Sequence, residues 1–395
     1  MRIALLALLT IIGLLLAGFA AGIGNYSTEH NVDARGAPAP AHLKGERNGV
    51  REMNNALLFN PKEIQGVSLR NRVVMPPMCQ YAGDADGGVK AYHLAHYGAR
   101  SLGGVGLVIV EATAVHPDGR ISLADIGIWD DSHVAGLRQL ALSISEHGAV
   151  PGIQLAHAGR KAGKGVHRRV APTSLSFSPE MGLPEELSAT EISTIVDAFA
   201  DAAERAASAG FKVLEIHAAH GYLIHEFLSP IANQRNDHYG GSADNRQCFL
   251  LEVVAACRAR IPAEIVLSVR LSGSEYSEFG YSLDELCGVG QNLHLAGIGL
   301  LHISSGGNLP TPPEVWPGYQ LPLAQAVKRA VPLPVIGVGL LKSPEFAEFA
   351  LREGYCDLVA VGRALLSDPH WAIKAATTLD ATLPIPAHMA RGLQR

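Results

Sequence analysis

Cysteine is scarce in this sequence and shows no regular spacing. The 395 residues include five cysteines, an odd number without a Cys-x-x-Cys pair: Cys79, Cys248, Cys257, Cys287 and Cys356. A disulfide framework or a cysteine-rich zinc site requires more regular spacing than this. The sequence therefore argues against both and predicts a reduced protein of the cytoplasmic type.

Charge is also scarce. Only 17% of the residues are charged, the formal net charge is -5, and no long run of lysine or arginine occurs. A protein that binds a polyanion carries a basic patch, so we expect no nucleic-acid partner. No Gly-x-Gly-x-x-Gly motif follows the first strand candidate either, so a Rossmann nucleotide site has no support there.

The start of the chain differs in composition from the rest. An apolar run extends from residue 4 to residue 24, and a polar stretch with scattered glycine and proline follows it over 25–55. Such a run is typical of a signal peptide or a membrane anchor, and the polar stretch is typical of a flexible linker. A third interpretation, which we favour, is that translation starts at Met53. In the other two cases the protein would be exported, or would contact a membrane through residues 4–24 alone.

From Val73 onward, short apolar runs alternate with amphipathic stretches. The eight runs are RVVMPP, VGLVIVEAT, AVPGIQLAH, KVLEIHAAH, EIVLSVRLS, GLLHISSG, PVIGVGLL and DLVAVGRAL. Buried parallel strands are apolar along most of their length, and strands that alternate with helices form a parallel sheet. Eight such units in residues 56–395 predict a (β/α)8 TIM barrel, with a doubly wound sheet as the alternative.

Helices are expected between these strands. Ser188 with Glu191 three residues later forms a capping-box pattern and predicts a helix start. The predicted helices are 189–209, 133–147, 243–260, 283–295, 321–330 and 343–353.

Polar residues follow several of the strand candidates, at the end of a barrel where active sites lie. The segment from Glu215 to Tyr222 places His217, His220 and Tyr222 at the end of the fourth strand candidate. Two histidines followed by Gly-Tyr favour a functional site over a structural role. A zinc site built on the two histidines is an alternative, with Glu215 or Glu226 as a third ligand.

The last two strand candidates predict a phosphate site. Gly337 and Gly339 end the seventh, and the eighth carries Gly362 and Arg363. Glycines let backbone N–H groups approach a phosphate, and the arginine adds charge.

Arg270 ends a largely apolar strand, and a buried arginine requires an anionic partner. Gln154 offers both a donor and an acceptor to a ring edge, although each of these signals is weak alone.

Taken together, these segments resemble the old yellow enzyme family, in its bacterial, xenobiotic-reductase-like branch. The motifs are NRVVMPPMCQY at 71–81, GLVIVEATAVHPDGR at 106–120, GIQLAHAGRKA at 152–162, EIHAAHGYLIHEFLSPIANQRNDHYGGSADNR at 215–246, VGR at 361–363 and ARG at 390–392. The resemblance extends from about Leu58 to Arg391.

The resemblance implies FMN as a non-covalent cofactor at the mouth of the barrel. Arg270 would lie near N1 and O2 of the flavin, where negative charge collects on reduction. Cys79 would adjust the flavin's potential and would not act as a nucleophile. The flavin-lining residues carried over are Pro76, Pro77, Met78, Cys79, Ala112, Gln154 and Arg270, and the phosphate would lie on Gly339, Gly362 and Arg363.

The resemblance also implies an ene-reductase that takes hydride from NADPH or NADH and delivers it to an electron-poor alkene. His217 and His220 would donate hydrogen bonds to the substrate's carbonyl or nitro oxygen, where charge grows during the reaction. Tyr222 would give a proton to the α-carbon. Tyr81 would be a further ligand of the substrate oxygen, and Lys161 would contribute to the site.

Arg391 matches an arginine that some members extend into the active site of a neighbouring subunit. Met389 and Leu393 replace the family's flanking aromatic residues, so the sequence departs from the pattern there. A homo-oligomer is still expected. Relatives such as dienoyl-CoA reductases carry an extra iron–sulfur domain with clustered cysteines, and this sequence has no such cluster.

Overall fold

The computed structural model describes residues 55–393, and only the backbone at 387, 388 and 393. The predictions of an apolar segment at 1–24 and a linker at 25–55 therefore lie almost entirely outside the described residues. Within these, no helix combines the length and the apolar character needed to cross a bilayer.

Eight parallel strands form a closed barrel, in which each strand pairs with the next along the chain and the last pairs with the first. Each overlaps one of the eight predicted runs, and one strand extends past its run by a single residue, Ala114. The TIM-barrel prediction is therefore confirmed and the doubly wound alternative is wrong. The barrel strands are β3 (Val73–Met75), β4 (Leu107–Ala114), β5 (Val150–Ala156), β8 (Val213–Ala218), β9 (Val266–Ser272), β10 (Leu300–Ser304), β11 (Val335–Gly337) and β12 (Leu358–Ala360).

Helices surround the barrel and largely follow the predicted bounds. Ser188 accepts a hydrogen bond from the backbone N–H of Glu191, as its capping-box pattern predicted. The single helix predicted over 243–260 is wrong, because two helices meet at Gln247. The helices are α1 (Ala91–Leu102), α2 (Val134–Glu146), α3 (Ala189–Ala209), α4 (Leu223–Leu228), α5 (Ala243–Arg246), α6 (Cys248–Arg260), α7 (Leu283–Leu295), α8 (Leu321–Ala330), α9 (Pro344–Arg352), α10 (Arg363–Ser367), α11 (Trp371–Thr378) and α12 (Ala387–Ala390).

Alternation along the strands sorts side chains between two hydrophobic clusters. On β8, Leu214 and Ile216 pack outward against the helices, whereas Val213 belongs to a smaller cluster inside the barrel. Because successive side chains of a strand point to opposite faces, Glu215 and His217 share the inner face with Val213. The barrel interior is thus apolar at its N-terminal end and becomes polar toward the mouth.

A short hairpin closes the apolar end. Strands β1 (Lys62–Ile64) and β2 (Val67–Leu69) pair antiparallel. Ile64 and Leu69 are buried in the same interior cluster as the first inward-facing residues of the barrel strands. The hairpin therefore fills the floor of the barrel, and the polar end at the C-terminal side is the open mouth. The remaining two strands, β6 (Val170–Ala171) and β7 (Glu185–Glu186), pair in the loop after β5.

Candidate active site

The turn after β8 brings together the two histidines and the tyrosine that the sequence singled out. The rings of His217 and His220 lie 5.2 Å apart, and those of His217 and Tyr222 lie 4.9 Å apart, both edge to face. His220 has a φ of 60°, a left-handed conformation that is uncommon outside glycine. Such strain is typical of functional sites.

Close backbone contacts hold this turn in place. A Cβ atom on Gly221 would lie 2.3 Å from the carbonyl oxygen of Gly307, so only glycine fits there. The Lys161 ammonium donates hydrogen bonds of 2.8 Å to the carbonyl oxygens of His220 and Gly307. It also lies 4.8 Å from the centre of the Tyr222 ring. Lys161 therefore connects the turn after β8 to the loop after β10, and burial lowers its pKa to about 8.

Burial sets the protonation states of the three central residues. It lowers the pKa of both His217 and His220 well below the usual value, and the nearby charge of Arg270 adds to the effect. Burial also raises the pKa of Tyr222. At neutral pH the histidines are therefore neutral, each with a single ring N–H, and the tyrosine keeps its proton.

The ring proton of His217 can be placed on one nitrogen. Its Nδ1 atom accepts a hydrogen bond of 3.3 Å from the backbone N–H of Ala219. A backbone N–H can only donate, so Nδ1 must be the acceptor and the proton of the neutral ring lies on Nε2. His217 therefore has Nε2–H available for a ligand.

Arg270 is the buried cation of the site. Its side chain is on the inner face of β9, the residue is only 7% exposed, and Nε has no hydrogen-bond partner within residues 55–393. Burial lowers its pKa, whereas the charge of Glu215 opposes that shift. An arginine held in this way fits an anionic group, because a buried charge without a partner is costly.

A cavity at the mouth gathers five of the predicted site residues: His220, Arg270, Gly339, Gly362 and Arg363. Gly339 has a φ of 123°, which side chains rarely adopt. A Cβ on Gly362 would meet Met78 and Pro76 at 3.5 and 3.7 Å, so the ends of β12 and β3 converge there. A basic cavity with glycines on its wall fits a phosphorylated cofactor such as FMN.

A buried polar network underlies the cavity. The side-chain amide of Gln154 donates a hydrogen bond of 2.8 Å to one carboxylate oxygen of Glu215, and the other oxygen lies 2.8 Å from His302 Nδ1. These bonds and Arg270 lower the pKa of Glu215 although burial opposes the shift. Because an N–H of Gln154 is committed to Glu215, its carbonyl oxygen is free to accept from a ligand. Ala112 pairs with Gln154 in the sheet.

The comparisons with known proteins identify the family. The family model described as the NADH:flavin oxidoreductase / NADH oxidase family matches residues 57–381. This chain belongs to that family. It is therefore an oxidoreductase, and the predicted resemblance to old yellow enzymes, the FMN cofactor and the nicotinamide hydride donor are confirmed.

Several family members are similar over nearly their whole length. The NADPH dehydrogenase of Geobacillus thermodenitrificans is 45% identical over 339 residues, which cover 86% of this chain and 99% of that protein. The NADPH dehydrogenase of Bacillus subtilis is 42% identical over 336 residues, or 85% of this chain and 98% of that protein.

Solved structures show the same fold. Morphinone reductase in complex with tetrahydroNAD has a TM-score of 0.70 and 28% identity, covering 84% of this chain and 93% of that one. A 2-naphthoyl-CoA reductase has a TM-score of 0.78 and 27% identity over 82% of this chain, which spans about half (52%) of that longer protein.

In this flavoenzyme, the segment after β3 contributes the other predicted residues of the mouth. Cys79 is half-buried, and burial, with Asp125 and Glu111 nearby, raises the pKa of its thiol to about 12. A thiol that stays protonated agrees with a role other than nucleophile. Tyr81 is 53% exposed with a φ of 52°, and burial raises the pKa of its hydroxyl to about 12. Pro76 and Pro77 connect β3 to this segment.

The sequence analysis missed a carboxylate that holds this segment. A register shift in β4 falls at Glu111, and such a bulge re-aims a side chain. One carboxylate oxygen of Glu111 accepts from the backbone N–H of Gln80 at 2.6 Å, and the other lies 3.1 Å from the Tyr97 hydroxyl. Burial raises the pKa of Glu111 to about 7. The apolar run VGLVIVEAT contains Glu111, but the sequence does not show the bulge that turns its side chain toward Gln80.

Two expectations concerned residues at the edges of the site. Arg391 lies exposed in a short 3-10 turn, Arg391–Leu393, and its role in a neighbouring subunit stays a prediction. For the zinc alternative, both carboxylates named as third ligands have other partners. Glu215 binds Gln154 and His302, and Glu226 accepts from the backbone N–H of Arg160. Among the described residues no cluster of three metal-ligating side chains occurs.

Proposed function

We propose that this oxidoreductase is an ene-reductase, which delivers hydride from a reduced nicotinamide to a carbon–carbon double bond activated by a carbonyl or nitro group. The observation that carries the proposal is the arrangement of His217, His220 and Tyr222 beside a basic cavity. Two neutral imidazoles and a protonated phenol, with ring centres about 5 Å apart, supply hydrogen-bond donors and an acid at one place.

The reaction balances with these groups. FMN, when bound, supplies the hydride carrier between the nicotinamide and the alkene. Hydride addition at the β-carbon moves an electron pair toward the carbonyl or nitro oxygen of the substrate. His217 and His220 stabilise that oxygen with fixed N–H groups, and such donors act most strongly where charge develops. Tyr222 gives its proton to the α-carbon, which completes the saturated product, and solvent returns a proton to Tyr222.

The same family resemblance and the basic cavity support the residues proposed for the cofactor. Arg270 would face the electron-rich edge of the flavin, and the carbonyl oxygen of Gln154 would accept from its imide N–H. Gly339, Gly362 and Arg363 would hold the phosphate. The ring would be lined by Pro76, Pro77, Met78, Cys79 and Ala112.

The names of relatives support the choice of hydride donor. Two relatives that are 45% and 44% identical are called NADPH dehydrogenases, and morphinone reductase was solved with tetrahydroNAD. We therefore propose NADPH as the donor, with NADH as the alternative. Tyr81 completes the binding of the substrate oxygen in this proposal. The cytoplasmic location and the homo-oligomer remain predictions from the sequence.

An absorbance experiment tests the proposed function. The chain from Met53 to Arg395, which spans the whole family match, is expected to be soluble and yellow after purification. Anaerobic NADPH should bleach the flavin bands, and 2-cyclohexenone should restore them in the absence of oxygen. Bleaching without recovery by enones, maleimides or nitroalkenes would contradict the ene-reductase proposal while leaving the flavoenzyme intact.

Removing the imidazole of His217 should weaken ligand binding at the mouth. We expect His217→Ala to bind a para-substituted phenol roughly 10- to 100-fold less tightly, because a hydrogen bond to a charged oxygen contributes about 1.5–3 kcal/mol. FMN should stay bound and alkene reduction should slow. Titration of the flavin's visible band with the phenol measures the effect. His238→Ala is the control, because His238 is exposed and lies in the loop before α5; equal affinities in the two variants would remove His217 from the site.

A further inference from the structure

Two side chains that the sequence analysis did not assign to the site lie beside His220 on the wall of the same cavity. Ser304 ends β10, and Gln320 immediately precedes α8; the two residues are 4% and 3% exposed. The Gln320 amide nitrogen lies 3.1 Å from Ser304 Oγ and 2.6 Å from Ser305 Oγ. Ser304 Oγ lies 2.7 Å from His220 Nε2. These contacts form a continuous path from α8 to the His220 ring.

The direction of each hydrogen bond follows from the number of protons. An amide nitrogen can only donate, so Ser304 Oγ accepts from Gln320. Among residues 55–393, the hydroxyl has one other hydrogen-bond partner, His220 Nε2. If the imidazole donated to the serine, the hydroxyl proton would have no acceptor among these residues, which is costly for a buried group. The serine therefore donates, and His220 Nε2 accepts.

His220 carries only one ring proton, because burial and the charge of Arg270 keep it neutral. With Nε2 acting as an acceptor, that proton lies on Nδ1. In His217 the backbone of Ala219 forces the opposite arrangement, with the proton on Nε2. The two neighbouring imidazoles thus present different nitrogens as donors.

We propose that Ser304 and Gln320 are positioning residues that fix His220 as its Nδ1–H tautomer, so that Nδ1 donates to the substrate oxygen. This inference rests on the proposed ene-reductase function and adds two residues to it. In the other tautomer a nitrogen lone pair would face the oxygen, and the second donor of the site would be lost.

The tautomer can be observed directly in the holoenzyme. After labelling with ¹⁵N-histidine, protonated and unprotonated ring nitrogens resonate far apart, and His220→Asn identifies the His220 signals by their loss. We expect Nδ1–H in the unmodified protein, and Nε2–H or a mixture in Ser304→Ala. Ser304→Thr keeps the hydroxyl and should restore Nδ1–H. Ser305→Ala is the matched control, because Ser305 bonds to Gln320 and Tyr276 but not to His220.

Ligand binding gives a second readout. Ser304→Ala should bind a para-substituted phenol roughly 10- to 100-fold less tightly, the expected cost of losing a charge-assisted hydrogen bond. In a His220→Ala background the same substitution should have little further effect, because the imidazole that Ser304 orients is then absent. Flavin content measured in each variant separates this effect from a loss of FMN.

The outcomes distinguish this inference from the proposed function. An Nε2–H signal for His220 in the unmodified protein would overturn the inference, even if alkenes are reduced. Additive effects of Ser304→Ala and His220→Ala on phenol binding would also overturn it. Failure to reduce any activated alkene, with Nδ1–H observed, would instead reject the ene-reductase function and leave the tautomer assignment standing.

Discussion

Arg270→Met is expected to produce a folded protein that no longer retains FMN. Arg270 is buried, and its Nε has no partner within the described residues. In the proposed site, its loss would remove the cation that faces the anionic edge of the cofactor. Because hydrogen bonds to charged groups contribute about 1.5–3 kcal/mol each and a guanidinium makes more than one, we expect FMN affinity to fall by roughly 100-fold or more. Quenching of FMN fluorescence on titration measures the affinity.

The same substitution should lower the stability of the FMN-free protein. Glu215 keeps its hydrogen bonds to His302 and Gln154, but it loses the nearby Arg270 charge that helps to lower its pKa. Removing one of two opposite buried charges leaves the other uncompensated. We therefore expect a lower free energy of unfolding without FMN, and FMN affinity is compared at a temperature at which both variants are folded. Arg270→Lys, which keeps the charge but not the fork of donors, is the control and should retain more affinity. A methionine variant that is fully yellow would show that Arg270 does not bind the cofactor.

Tyr222→Phe is expected to separate the two halves of the reaction. The ring and its packing against His217 and Lys161 remain, whereas the proton for the α-carbon is lost. General acid catalysis typically contributes 10²–10⁴-fold, so we expect reoxidation by 2-cyclohexenone to slow about 100-fold. Reduction of the flavin by NADPH should be unchanged. Anaerobic stopped-flow absorbance measures both rates.

The pH dependence of this step has a defined sign. An acid works while it is protonated, that is, below its pKa, and burial raises the pKa of Tyr222 above its usual value of 10. Reoxidation by the alkene should therefore show no alkaline decline assignable to Tyr222 below pH 10. A Tyr222→Phe enzyme that reduces cyclohexenone at the unmodified rate would assign the proton to solvent. Slower reduction by NADPH with unchanged reoxidation would exclude the acid role as well.

The barrel could be predicted from the sequence because its strands are buried on both faces. Runs such as VLEIHA and VLSVRLS are apolar enough to stand out, and each contains an observed strand. Helix α1 was missed for a local reason. It begins after Lys90 without a serine, threonine or aspartate cap, and it contains Gly98.

Residues of the cavity were predicted where they follow an apolar strand or belong to a contiguous motif. His217, His220 and Tyr222 lie within six consecutive positions, in a motif that is specific to the family. Contacts between residues that are distant along the chain correspond to no motif in the sequence. Gln320 reaches Ser304 across the long loop after β10, and Glu111 supports Gln80 only because β4 bulges. Glu215 was a candidate metal ligand in the sequence, because its partners Gln154 and His302 lie far from it along the chain.

The hairpin at the floor of the barrel has a consequence for the kinetics of turnover. Because Ile64 and Leu69 close the N-terminal end, the nicotinamide and the proposed alkene would both enter through the mouth. If both bind at His217 and His220, each has to leave before the other can take its place. In that case we expect a ping-pong sequence, in which a high concentration of either substrate inhibits the reaction of the other.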